Sequence, residues 1–272
     1  MNHIAFFISD GTGITAEGLG HSLLSRFNGV HIDQITLPYV NDELRAKQAV
    51  QRINDAAKLT QKTPIVLISV VSAELRQILK GSDGMILDMF EAFLDPIEQL
   101  LGQPPNQSAG SAFGMGQNNY HQRIQALNYV LDNDDGGNTK NYQHADVILV
   151  GLSRSGKTPT CLYLGMHYGI RAANYPITED DMDSTHIPKI LQAHQKKLFG
   201  LLIEPTRLAS IREERYANSR YASLSQCEFE TRQFTAMLQR YKLPHLNSTH
   251  LSIEELATRI MDGVGIERRV NA

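Results

Sequence analysis

The run Gly151-Leu152-Ser153-Arg154-Ser155-Gly156-Lys157-Thr158 satisfies the pattern G-x-x-x-x-G-K-[ST] at every constrained position. These residue types suit one chemical task, the holding of phosphate groups. Gly151 and Gly156 let the backbone approach an anion with no Cβ in the way. Lys157 supplies a point charge for the terminal phosphates, and the Thr158 hydroxyl is of the kind that ligates magnesium. Arg154 either reaches a phosphate or points to solvent.

Three other groupings carry residues of chemical interest. Ser9-Asp10-Gly11-Thr12-Gly13-Ile14-Thr15 has the make-up of an anion cradle between a strand and a helix, and equally that of an N-cap and turn. Arg212, Arg215 and Arg220 could converge on phosphoryl oxygens, although on spacing alone a solvated, ion-paired helix face is the favoured reading. Glu179, Asp180, Asp181 and Asp183 could hold magnesium or orient a hydroxyl, with a solvated acidic loop as the plainer alternative. The two cysteines, Cys161 and Cys227, form no C-x-x-C pair, so neither a zinc site nor a disulfide framework is indicated. Cys161 reads as a buried structural thiol.

A phosphate loop works only if a strand leads into it and a helix leads out, so that successive N–H groups and the helix dipole face one point. The apolar run Val147 to Val150 and the helical period from Lys157 to Tyr168 meet that need, and Pro159 is tolerated in the first helical turn. The same alternation runs along the chain. Strands are expected at 4–8, 32–37, 65–71, 85–88, 147–150, 171–175 and 198–203. Helices are expected at 14–27, 41–59, 73–79, 120–131, 157–168, 205–215, 224–241 and 253–261, with one more ending near Gly102. This is an α/β pattern with mainly parallel sheets. Gln103 to Asn118 reads as a loop and candidate lid, and Asp132 to Asn141 as a linker. Two domains follow: an N-terminal α/β domain at 1–140 and a P-loop, kinase-like domain at 141–272.

The length of 272 residues and the 42% hydrophobic and 20% charged content are those of a folded globular chain. A net charge of −3 gives no general reason to expect a nucleic acid or an anionic membrane as partner. The opening MNHIAFFISDGTG has no basic region, and its apolar run breaks at Ser9 and Asp10, so the expected location is the cytoplasm.

Several stretches together resemble the regulatory proteins of pyruvate, phosphate dikinase and phosphoenolpyruvate synthase. They are SDGTGIT from Ser9, NDDGGN from Asn133, ADVILVGLSRSGKTPTCLYLG from Ala145, AANYP from Ala172, REERYANSRYAS from Arg212 and STHLSIEELATRI from Ser248. The resemblance implies a bifunctional enzyme acting on a protein threonine. It would use ADP as phosphoryl donor to inactivate its target, and inorganic phosphate to remove the group and release pyrophosphate. ITEDDMDS from Ile177 and KKLFGLLIEP from Lys196 are more similar to the synthase-directed branch, which makes phosphoenolpyruvate synthase the expected protein partner. Residues 151 to 158 would bind ADP, Lys157 would act on the transferred group, and Thr158 would hold Mg2+. Asp10, a carboxylate at a strand end, is the nominee for the base, with capping as its alternative. Rival readings are an ATP-dependent small-molecule kinase and a nucleotide-sensing protein without transferase activity. A homo-oligomer is compatible with all of them.

Overall fold

The alternating runs fold as two four-stranded sheets, each wholly parallel, in agreement with the expected α/β class. The structure is a computed structural model and describes residues 2–104, 117–182 and 185–267. It divides into two compact units, 1–114 and 115–272.

The first unit runs β1 (His3–Ser9), α1 (Ile14–Leu24), β2 (Ile32–Leu37), α2 (Glu43–Thr60), β3 (Ile65–Ser69), α3 (Ala73–Lys80), β4 (Met85–Asp88) and α4 (Met89–Leu101). Its sheet order is β2-β1-β3-β4. Along β1, Phe6 and Ile8 enter one core with α2 and α3, while Ala5 and Phe7 enter another beneath α1. This is the period-two alternation of a strand covered on both faces.

The second unit runs α5 (Gln117–Asp132), β5 (Val147–Leu152), α6 (Lys157–Tyr168), β6 (Ala172–Ile177), α7 (Lys189–Gln192), β7 (Leu198–Leu202), α8 (Pro205–Arg215), α9 (Leu224–Arg240), β8 (His245–Asn247) and α10 (Ile253–Val264). Its order, β6-β5-β7-β8, repeats the arrangement of the first unit. All six residues of β5 are buried, Val147 and Leu149 toward α6 and α10, and Ile148, Val150 and Leu152 toward α9. Each such Val, Leu or Ile contributes roughly 1.5–3 kcal/mol. The short strand β8 and helix α7 were not expected from the sequence, because neither is long enough to show a period.

The division falls at 114/115 and not at the expected 140/141, because α5 belongs with the second sheet. Ala126 and Val130 are buried against α6, where a Cβ on Gly165 would stand 3.1 Å from Val130 Cγ2. The stretch read as a linker is instead two 3-10 turns, Asp134–Gly136 and Thr139–His144, and Tyr142 is fully buried. Most of the expected lid loop lies outside the described residues.

Candidate phosphate-binding site

In each sheet the chain crosses to opposite sides of the first strand, so a crevice opens at that strand's C-terminal end. In the second unit the crevice at the end of β5 is occupied by residues 151–158. Gly151 is needed for close packing, since a Cβ there would stand 2.6 Å from Leu201 O and 2.7 Å from Ser155 Oγ. Gly156 has φ of 92°, a conformation that favours glycine. It precedes α6 with no side-chain cap, which leaves the first N–H groups of the helix for an anion. Arg154 also adopts a positive φ, 79°, and such strain is held in place by surrounding contacts.

Those contacts come from later in the chain: from α8, from the 3-10 turn Arg220–Ala222 and from the loop after β8. Tyr221 donates its hydroxyl to Ser153 Oγ at 2.8 Å, and Ser248 Oγ donates to Ser155 O at 2.9 Å. Arg212 donates to Ser153 O from Nε at 3.4 Å and Nη2 at 3.3 Å. The same guanidinium is 1% exposed, pairs with Glu230 at 2.7 Å and lies over the Tyr221 ring at 4.0 Å. Burial opposes its charge, and the Glu230 hydrogen bond and carboxylate outweigh that, so its pKa is raised. The three arginines therefore do not converge. Arg212 braces the loop from behind, Arg215 lines the cleft, and exposed Arg220 sits 3.7 Å from Glu179.

Lys157 is 4% exposed, and its Nζ donates to Leu152 O at 2.9 Å, so the lysine spans its own loop. Desolvation by burial lowers its pKa to about 8, against a smaller opposing effect of Asp135. A cleft of about 260 Å3 opens in front of it, walled by Arg154, Lys157, Thr158, Arg215 and Asp135. A larger groove of about 500 Å3 beside α9, lined by Glu228, Thr231 and Arg232 among others, includes no residue of the loop.

Asp134, from the turn expected to be a linker, reaches the first residues of α6. Its Oδ1 accepts the Thr158 hydroxyl at 2.9 Å and the Asn174 side-chain amide of β6. Asn174 also accepts the Asp135 N–H at 3.0 Å and is itself fully buried. Sequence reasoning missed Asp134 and Asn174 as site residues. The signal was the asparagine and paired acids before Gly136-Gly137, which looks like a solvated turn unless its partner strand is known. Among the described residues no group of three or more His, Cys, Asp or Glu could cage a metal. The pairing of a hydroxyl with a carboxylate oxygen does suit magnesium, which takes hard oxygen ligands and fills its remaining positions from phosphate and water.

The other candidates are engaged locally. Asp10, in the first unit, accepts the Val71 N–H at 2.7 Å, and Gly13 precedes α1 with φ of 90° and no side-chain cap. Asp181 accepts Thr178 and Tyr175, Glu179 accepts Gln226, and Asp183 lies outside the described residues. The Cys161 thiol is fully buried, directed at Ala173 O, and burial pushes its pKa up, as fits a structural thiol.

A parallel sheet with a lysine-bearing glycine loop at its crevice has the arrangement of a P-loop protein. Residues 5–261 match the family model described as Kinase/pyrophosphorylase. The chain is 51% identical over 270 residues to a protein of Pseudomonas fluorescens (strain Pf0-1), with 99% of each covered, and 49% identical over 269 residues to one of Marinobacter nauticus, with 98% of this chain and 99% of the other covered. Both carry the name "Putative phosphoenolpyruvate synthase regulatory protein". The chain belongs to the kinase/pyrophosphorylase family, a family of phosphotransferases. No described helix is long and apolar enough to cross a membrane.

Proposed function

We propose that this protein switches a phosphoenolpyruvate synthase off and on by reversible phosphorylation of a threonine, in the cytoplasm. The observation that carries the reading is the buried Lys157 inside an uncapped glycine loop, in a chain whose relatives are named for that regulation. In the inactivating direction the threonine oxygen attacks the β-phosphorus of ADP. The bond to the bridging oxygen breaks, AMP leaves, and the hydroxyl proton passes to a base. In the reactivating direction inorganic phosphate attacks the phosphothreonine, the threonine oxygen regains a proton, and pyrophosphate is released.

Within the loop, the N–H groups of residues 151–158 cradle the diphosphate. Lys157 gives up Leu152 O and turns its ammonium to the β-phosphoryl, where a buried charge acts more strongly than in water. Arg154 and Arg215 flank the incoming group. Mg2+, held by Thr158, would offset charge on the transferred phosphoryl. Asp10 is the proposed base. D10N keeps an acceptor for Val71 N–H, so loss of transfer with nucleotide binding intact supports that role, and unchanged transfer rejects it.

The test mixes the purified chain with phosphoenolpyruvate synthase and ADP labelled in the β-phosphate, alongside K157A. Label should reach a synthase threonine with the wild type only. An unlabelled synthase, or equal labelling by K157A, overturns the reading. Added inorganic phosphate should then release labelled pyrophosphate; release of free phosphate alone would overturn the reverse half.

A further inference from the structure

We propose that Asp134 is the acidic partner of Thr158 in holding the divalent cation that accompanies the bound nucleotide. This rests on the reading that the loop binds a magnesium nucleoside diphosphate, and it names a ligand from outside the loop. Because the Thr158 hydroxyl donates its proton to Asp134 Oδ1, its lone pairs are left free for a cation. The Asn174 amide fixes the same carboxylate oxygen. Asn174 is anchored in turn: Tyr142 donates its hydroxyl to the Asn174 carbonyl at 2.9 Å, and Asn174 receives the Asp135 N–H. Asp134 thus stands on a buried, hydrogen-bonded support of the kind that fixes metal ligands in place.

Charge points the same way. Asp134 is partly buried; among the described residues no Lys, Arg or His nitrogen lies within 4.0 Å of its carboxylate, and the cation it acts on through space is Lys157. A carboxylate in that setting gains from a cation beside it. The adjacent Asp135 lines the cleft beside Thr158, and Asp134 stands behind it, joined to the site through the Thr158 hydroxyl. The neighbouring Asp135 has φ of 46° and ψ of 36°, a left-handed turn that brings two successive acids to the start of α6. One carboxylate and one hydroxyl are few ligands for calcium, but enough for Mg2+ or Mn2+ when phosphate oxygens and water complete the shell.

The discriminating variant is D134N. Asn keeps an oxygen to accept both Thr158 and Asn174, so the hydrogen-bonded framework survives while the charge is removed. Binding of Mn2+ is followed by electron paramagnetic resonance with saturating ADP, and ADP affinity is measured with Mg2+ and with EDTA. In wild type, ADP should recruit Mn2+. In D134N, Mn2+ affinity should fall at least tenfold while ADP affinity in EDTA stays within about twofold. D134C covers a failure of D134N to fold, because its thiolate should accept Cd2+ in preference to Mn2+. Wild-type Mn2+ affinity retained in D134N, or absence of Cd2+ preference in D134C, overturns the assignment while leaving nucleotide binding at the loop standing. Wild type that binds ADP identically with Mg2+ and EDTA and recruits no Mn2+ overturns the magnesium reading of Thr158 as well.

Discussion

Raising the pH should weaken nucleotide binding through Lys157 alone, at a pH where a surface lysine would still be fully charged. Burial brings its pKa from 10.5 to about 8. A diphosphate placed against the ammonium favours the charged form and raises that value again. Binding above pH 8 therefore takes up a proton, close to one per ADP at pH 9, and affinity at pH 9 should be about tenfold weaker than at pH 7. Isothermal titration in buffers of different ionisation enthalpy reads both quantities, and K157M corrects for ionisation of the nucleotide itself. The same shift has a stability signature with the opposite slope. Between about pH 8 and 10.5 the unfolded chain binds the proton that the folded chain has released, so folding stability gains roughly 3 kcal/mol across that window relative to K157M. Wild-type affinity that is flat from pH 7 to 9, with no proton uptake beyond that of K157M, would refute a buried, partly discharged lysine.

R212A should cost about 3–5 kcal/mol in urea denaturation, because it strands the buried Glu230 carboxylate; R212M/E230M should regain most of that stability and still bind ADP poorly, since Ser153 O has lost its donors. G151A should fold and yet lose ADP binding at least tenfold by calorimetry, as its Cβ would force the loop away from Leu201 O; unchanged affinity would show that the loop adapts. D10N should leave ADP affinity unchanged, which a fluorescent nucleotide titration checks independently of any transfer assay.

The central strands and the loop were legible in the sequence because each imposes a local pattern. Six consecutive buried residues in β5 leave an unbroken apolar run, and the loop's glycines sit where a Cβ would collide or the backbone turns left-handed. Asp134 and Arg212 were not legible, for a shared reason. Asp134 meets Thr158 across 24 residues and Arg212 meets Ser153 across 59, and neither separation leaves a period or spacing to read. Both stand in charged, polar stretches whose ordinary fate is solvent, so burial was the missing information. The unit boundary failed similarly: glycines 136 and 137 mark a turn, and a turn inside a domain has the same composition as a linker between two.

The loop's geometry is assembled from distant parts of the chain. Ser153 O is held by Arg212, Ser153 Oγ by Tyr221, and Ser155 O by Ser248. During synthesis the glycine loop emerges almost a hundred residues before the last of these clamps. A nascent chain would carry the recognisable motif for several seconds at ordinary elongation rates without the means to hold it in a binding shape. The loop's shape is therefore complete only once Ser248, in the loop after β8, has joined Arg212 and Tyr221.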